Sequence, residues 1–430
     1  MPVCLQLPRE HLVNELAAAF PAAAMAPGEL AAAARQPFRG GRAEAIARLA
    51  AVDPEAYART RNDVGGAVSR LSPWIRHGVL SLAEVRDAAI ARAGAEAAEK
   101  FVSELGWRDY WQLVLAAVGA GVMADLEPPA AEARAGRLNR VPADVLTATT
   151  GLACIDDFVR RLHATGWLHN HERMWLASWL VHVRGVHWRA GADWFLSHLL
   201  DGDPASNHLS WQWVAGTFSA KPYIFNRANL ERFTAGVHCG RCAAFGHCDL
   251  EGDYDSLADR LFVAGAGPRS TPTPKIRPPL PWGSRQSSER PLVWITLDSV
   301  SAESPAVLAH PDAPRVFVVA DDWLAEERPA LKRLVFLWEC LADLLPIEVC
   351  VGEPASVLQS RAVALGCDGI AVAETACPRV RRSAAVLAES FPVTVARWAP
   401  FCDRSGVRDV GRFSRYWQAV KASALQPTPR

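Results

Sequence analysis

The sequence predicts an all-helical domain followed by a doubly wound, Rossmann-like domain whose mostly parallel sheet has about five strands. Three observations carry this. From about residue 42 to 200 apolar residues recur at i, i+3 and i+4, the spacing of one buried helix face. A stretch rich in Pro, Ser and Arg then interrupts the chain at 265–290. Beyond it, short β-branched runs alternate with helical segments.

The helical segments are RAEAIARLAAV, SLAEVRDAAIARA, ELGWRDYWQLVLAAV, CIDDFVRRLHATGW and RMWLASWLVHV, with scarce strand signal between them. The Pro-rich stretch reads as an extended linker, because proline removes donors and fixes φ. The strands are expected in PLVWITL, RVFVVA, IEVCVG, GIAVAE and PVTVARW, alternating with helices such as ALKRLVFLWECLADLL and PASVLQSRAVALG. The expected division is a helical domain at 1–235, a cysteine-rich segment at 236–264, the linker at 265–290, an α/β domain at 291–402 and a C-terminal segment at 403–430. No Gly-rich GxGxxG or GxxxxGK[ST] loop follows the first strand, so an ordinary dinucleotide or P-loop site there is unsupported.

The 430 residues, half of them hydrophobic, suffice for two or three cores. Forty-six basic residues balance 46 acidic ones, so nucleic-acid binding would need a local patch. No basic n-region precedes an apolar h-region, and no apolar run reaches the roughly 18 residues of a membrane span, so a cytoplasmic protein without a membrane partner is expected. Ten irregularly spaced cysteines argue against a disulfide framework and leave metal or cluster ligation as the alternative.

Residues 201–217, DGDPASNHLSWQWVAGT, place Asp201, Asp203, Asn207, Trp211 and Trp213 within thirteen positions. Buried carboxylates persist only when paired or hydrogen-bonded, so the segment reads either as a polar wall around a bound molecule or as a tryptophan-rich core with a surface turn. In HCGRCAAFGHCDL, Cys239, Cys242 and Cys248 include a CxxC step that lets two thiolates face one metal. Three cysteines fall one short of a four-cysteine site.

Four ordered motifs resemble the photolyase and cryptochrome family: Arg61-Asn62-Asp63 with SRLSP at 69–73, ELGWR at 104–108, WLHNHERM at 167–174 and the 201–217 segment. The second half is similar to the same family's α/β antenna domain, through LVWITLDSVSAESPAVLAH and RLVFLWECLADL, and GRFSRYWQAVKA resembles the segment leaving that domain. In the family the antenna domain comes first, so the resemblance implies a circular permutation, which is easy where domain termini lie close together. Ile295 and Thr296 stand where the family has paired arginines, and the sequence does not identify a second, antenna chromophore.

The resemblance implies FAD as cofactor. Ser69, Arg70, Leu71 and Ser72 would offer hydroxyls and backbone N–H groups to phosphate just before a helix, although Val68 replaces the usual Thr. Arg108 would be a phosphate- or ring-facing cation and Tyr57 would lie near the phosphates. Arg173 and Asp201 are expected to form a buried ion pair, with Asp203 at the ring and ribose edge and Asn207 facing flavin N5.

The implied activity is blue-light repair of cyclobutane pyrimidine dimers in UV-damaged DNA, with the lesion flipped against the flavin. Glu104 would hydrogen-bond the dimer, Trp107 and Trp213 would clamp it, and Asn170 and Met174 match the cyclobutane-type pattern. His171 replaces the family's arginine at the DNA-facing rim, which would make that contact pH-dependent. Trp211 and Trp188 match the inner members of the electron chain, whereas the outer one has no counterpart; Trp179 or Trp194 are alternative ends. Cys154 completes the cysteine set by resemblance to the iron–sulfur branch, implying a [4Fe–4S] cluster; a zinc with His238 or His247, or unliganded thiols, are the other readings. A cryptochrome-like receptor and a redox protein without DNA remain the rival functions.

Overall fold

The computed structural model describes residues 3–134, 136–263, 275–279, 282–283 and 288–428. Most of the expected linker lies outside the described residues; those of its residues that are described form neither helix nor strand.

The first half is helical, as its periodicity requires. Helices α1 (Arg9–Ala19), α2 (Glu29–Arg35), α3 (Arg42–Ala50), α4 (Pro54–Thr60) and α5 (Ser72–Arg76) lead into α6 (Leu82–Val118), which joins two of the sequence-predicted helices across a left-handed break at Gly94. Ser81 caps α6 by accepting from the Glu84 N–H at 3.1 Å. After α7 (Ala143–Leu146) and α8 (Ala153–Thr165), the left-handed Gly166 turns the chain into α9 (Asn170–Ser178). A reciprocal cap opens α9, His169 accepting from the His171 N–H while Glu172 accepts from the His169 N–H. A single π turn at Trp179–Val183 precedes α10 (Trp188–His198). Asp203 and Pro204 then start α11 (Pro204–Ala215), and α12 (Arg227–Thr234) and α13 (Tyr254–Leu261) complete the half.

The second half holds strands β1 (Pro291–Ile295), β2 (Arg315–Ala320), β3 (Glu348–Gly352), β4 (Gly369–Ala373) and β5 (Val393–Ala396). They form one parallel sheet in the order β3-β2-β1-β4-β5, the doubly wound arrangement expected. β1 and β4 are buried throughout, which explains why they read as continuous apolar runs. Helices α14 (Pro305–Ala309), α15 (Asp321–Glu327), α16 (Leu331–Leu341), α17 (Pro354–Ala364) and α18 (Pro378–Leu387) connect the strands, and α19 (Phe413–Ala424) follows the sheet. No helix among the described residues is long and apolar enough to cross a membrane.

The halves share one core. Leu12, Trp74, Val114 and Leu209 belong to the same buried cluster as Phe317, Phe336, Trp338 and Tyr416. Charges cross the boundary too: Arg9 reaches Glu339 on α16, its Nε donating at 2.7 Å, and the fully buried Lys332 ammonium lies 2.9 Å from Glu29. Lys332 is tolerable there only because Glu29 neutralises it. Glu29→Gln is therefore expected to destabilise the protein by about 3–5 kcal/mol, measured by urea unfolding.

Candidate active site

A cavity of about 560 Å³ opens between α4, the 68–72 turn, α6, α9 and α11. Tyr57, Ser69, Arg70, Leu71, Ser72, Arg108, Asn170, Arg173, Asp201 and Asn207 all line it, as do Glu104, Trp107, Met174, Trp211 and Trp213. Two of the sequence-predicted residues do not. Asp203 sits behind the wall as the cap of α11, and Trp188 is buried elsewhere, its indole N–H donating to Asp125 at 2.6 Å and its ring edge-on to His208.

The polar floor is the 201–203 turn. Arg173 donates to both Asp201 oxygens, at 3.1 and 2.7 Å, and its Nε donates to the Leu168 carbonyl at 3.0 Å. Asp203 accepts from the Ala205 and Ser206 N–H groups, from the Ser206 hydroxyl at 2.8 Å and from Gln112 Nε2 at 2.8 Å. Its remaining charge faces Arg108 at 3.7 Å. Burial works against ionisation of Asp203, but the Arg108 and Arg76 guanidinium groups and the Ser206 bonds prevail and hold its carboxyl below the usual value.

The 68–72 turn is made by Arg70, whose φ of 52° is left-handed, a conformation costly outside glycine. The Ser69 hydroxyl accepts from the Leu71 N–H at 3.5 Å, and Trp167 Nε1 donates to the Ser72 hydroxyl at 3.3 Å. Ser72 is the first residue of α5, with Leu71 in the capping position. The Arg70 guanidinium lies 5.2 Å over the Trp167 ring, which keeps this cation at the cavity wall.

At the mouth, Glu104 pairs with Lys100 at 2.8 Å and Arg61 at 3.2 Å. Asn170 Nδ2 reaches the Met174 sulfur at 3.2 Å, and Asn207 Nδ2 donates to the Ala192 carbonyl at 2.8 Å, which fixes the orientation of its amide. Trp211 packs edge-on against Phe195, its ring occupying the space above Gly191, where any Cβ would collide with it at 2.2 Å. Trp179 lies under Arg184, and Trp194 packs on Phe195.

His171 differs from the expectation. It lines the cavity and is half-buried, with its ring stacked between Trp175 and Phe233, at 5.2 and 5.0 Å, and Nδ1 bonded to the Asn62 carbonyl at 2.6 Å. Burial lowers its pKa, so its protonation calls for a more acid pH than an ordinary imidazole needs. An aromatic sandwich suits a neutral ring, which sequence adjacency to Asn170 could not reveal.

Sequence reasoning missed Arg76 and Arg333. Arg76 Nε donates to the Gly202 carbonyl at 2.7 Å and its guanidinium pairs with Asp298, while Arg333 on α16 bonds the Leu196 carbonyl and Glu327 and reaches Gly202 O at 3.4 Å. The available signal was a cation inside an apolar helix, one in SPWIR and two in LKRLVFLW.

Cys154, Cys239, Cys242 and Cys248 line one small apolar cavity with Leu230, Phe245, Leu250 and His238. The first comes from α8 and the others from the loop after α12. Burial, then the neighbouring Cys239, pushes the Cys154 thiol up to about 12, and burial pushes Cys239 up to about 11. Among the described residues no group of three or more His, Cys, Asp or Glu side chains is arranged to hold a metal ion. The convergence of four sulfurs is seen; a metal-ready geometry is not.

Residues 101–236 match the family model of the FAD binding domain of DNA photolyase. That span holds the second half of α6, the cysteine set's Cys154 and the 201–203 turn. Over 157 residues the chain is 42% identical to a deoxyribodipyrimidine photo-lyase of Streptomyces griseus, covering 36% of this chain and 33% of that one. Over 208 residues it is 34% identical to a chloroplastic/mitochondrial cryptochrome DASH of Ostreococcus tauri, covering 46% and 38%. A solved archaeal photolyase from Sulfolobus tokodaii with two FAD molecules aligns at 32% identity and a TM-score of 0.38, over 46% of this chain and 45% of that one. The chain spans about a third of the length of the curated relatives it matches, 33% and 38% in these two cases. The similarity thus supports the photolyase and cryptochrome family and an FAD-binding helical segment.

Because Asp203 titrates below its ordinary value, it stabilises the fold above a pH of about 4, and that contribution is lost as pH falls through its folded pKa. Asp203→Asn is expected to lower stability at neutral pH by about 3–5 kcal/mol, since Arg108 loses its counter-charge. The variant should also lose less stability than wild type on acidification to about pH 3, as read by chemical unfolding at both pH values.

Proposed function

We propose that the protein is a blue-light-driven flavoenzyme that holds FAD in the 560 Å³ cavity and repairs cyclobutane pyrimidine dimers in UV-damaged DNA. One observation carries the reading: within the segment similar to a photolyase FAD-binding domain, a single cavity joins a paired Arg173–Asp201 floor to a mouth made of Glu104, Trp107, Asn170, Met174 and Trp213. Bound, reduced FAD would supply the light-activated electron. The protein's part is then to hold that cofactor and the lesion together and to exclude water.

Each residue's role follows from its chemistry. Arg108 and Arg70, with the Ser69 and Ser72 hydroxyls, offer donors to a pyrophosphate. Asn207, its amide oriented by Ala192, presents its remaining polar capacity to the flavin ring edge. Trp107 and Trp213 offer stacking faces to a flipped dimer, and Glu104, once released from Arg61 or Lys100, hydrogen-bonds its carbonyl edge. Asn170 and Met174 complete the lesion side.

Two further readings belong with this one. The four converging cysteines suit a [4Fe–4S] cluster, whose soft thiolate ligands are the type present. The helical half preceding the sheet suits a circular permutation of the family, with the FAD-binding match at 101–236 and the sheet beginning at Pro291. A cryptochrome-like photoreceptor is the second function reading, favoured by the engagement of Glu104 with two cations and by the inward stacking of His171, which leaves that position without a charge for DNA.

Two measurements test these readings. Purified, FAD-loaded and reduced protein should repair a dimer-containing oligonucleotide under blue light, and Glu104→Gln should lower the yield by about tenfold, the worth of one charge-assisted hydrogen bond, with flavin content unchanged. Absence of repair by wild type favours the receptor. Anaerobically prepared protein should contain iron and labile sulfide that Cys154→Ser loses; zinc, or no metal, refutes the cluster.

A further inference from the structure

We propose that His198 and His163, set against the buried Lys332, form an acid-sensitive latch: protonation of this cluster loosens the junction between the two halves and releases what the cavity holds. The link to release rests on the reading that the cavity holds FAD. His163 lies on α8, His198 is the last residue of α10 and Lys332 belongs to α16, so the cluster joins the helical half to the sheet half. The Lys332 ammonium lies 3.3 Å from His198 Nδ1, and the two imidazole rings stand 4.6 Å apart. Trp194 is edge-on to both rings, at 6.1 and 6.3 Å. From α2, Glu29 accepts from the same ammonium with both carboxylate oxygens, at 3.1 and 2.9 Å.

An ammonium has no lone pair, so this contact fixes the state of His198: Nδ1 accepts, and the neutral ring carries its proton on Nε2. With both rings neutral, one ammonium and one carboxylate sum to zero. A proton added to either ring leaves a cation without a counter-charge, because Glu29 is already engaged by Lys332. Arg333, the other charged group facing His198, is a cation too. His163 Nε2 is buried with no hydrogen-bond partner among the described residues, so nothing there steadies an imidazolium. Burial first, and then Lys332, lower both imidazoles, His163 to about 4 and His198 well below the ordinary value.

The latch sits at the root of the cavity floor. Asp201 follows His198 by three positions, and the residues just before His198 are bound from α16: the Ala330 N–H donates to the Ser197 carbonyl at 2.9 Å, and Arg333 bonds the Leu196 carbonyl. Repulsion between an imidazolium and Lys332 acts on this same junction. Both rings are partly exposed, so protons reach them in the folded protein. In the unfolded chain the imidazoles take up protons near a pH of about 6.5, and in the folded one only at lower pH. The latch therefore contributes its full stability above about pH 6.5 and loses it as the pH falls toward about 4.

The test uses the full-length, FAD-loaded protein, followed by urea unfolding and by the fluorescence of released flavin from about pH 7.5 to about pH 4.5. His198→Asn keeps an acceptor toward Lys332 and cannot be protonated. It is expected to move the acid midpoints of unfolding and of flavin release down by about one pH unit, with values at neutral pH near wild type. Wild-type stability that does not fall over this range, or the same pH dependence in His198→Asn, overturns the latch. A shift in unfolding with none in flavin release overturns its hold on the cavity floor. Should His198→Asn fail to fold, His163→Gln is judged by the same comparison, and the wild-type His198 titration followed by nuclear magnetic resonance decides: a midpoint at or above about 6.5 refutes the proposal. A wild type that carries no flavin defeats the cofactor reading instead, and the urea series still decides the latch.

Discussion

Two carboxylates two residues apart, taken out of water, are the constraint around which this molecule is arranged. Asp201 and Asp203 are nearly inaccessible, and neither is stable there without cations and donors aimed at it. The answer is a ring of arginines from four separate helices. Arg173 of α9 closes on Asp201, Arg108 of α6 faces Asp203, and Arg76 of α5 with Arg333 of α16 converge on the Gly202 carbonyl between them. Those arginines need partners in turn, which Asp298 and Glu327 supply from the sheet half. Glu327 keeps its charge despite burial because Arg379, Arg333 and Arg76 surround it, which holds its carboxyl below the usual range. The α/β half is thus part of the scaffold of the cavity, whatever else it binds.

The same charge accounting shapes the mouth. Lys100 and Arg61 outnumber Glu104 there, and along the cavity lining Arg61, Arg70, Lys100, Arg108 and Arg173 face only Glu104 and Asp201, so the site is locally positive in a chain whose acidic and basic residues balance. An anionic ligand here would meet local cations as well as stacking faces.

Much of the architecture was legible because it follows from periodicity. The alternation after residue 291 required a parallel sheet, and the β1 and β4 runs show why such strands are apolar on both faces. The ordered motifs likewise brought most of the cavity lining together. What escaped depends on which way a side chain turns. Asp203 looked like a cavity wall because it follows Asp201 by two residues, yet the need to cap α11 turned it backward. His171 was placed at the rim by its match to an arginine position, but the sequence could not show the aromatic sandwich of Trp175 and Phe233 that holds its ring there. The stacking of Phe413 on Trp107 escaped for another reason: GRFSRYWQAVKA was read only as the segment leaving the α/β domain, and it lies some 300 residues from α6. Cys154 and the loop cysteines show the intermediate case, in which the family resemblance suggested that Cys154 joins the CxxC set and the fold brought the four together without a metal-ready geometry among the described residues.

The bonds from Arg76 and Arg333 to Gly202 also bear on how the protein comes apart. A turn gripped from both halves cannot loosen in one of them alone, so the helical half and the sheet should melt as one cooperative unit. Any molecule seated on that turn therefore protects strands it never touches. At a hundred times its dissociation constant it adds about 2.7 kcal/mol to the unfolding free energy of the whole chain. Occupancy of the cavity would then be readable as heat resistance, and a cell that starved the protein of its ligand would lose sheet and site together.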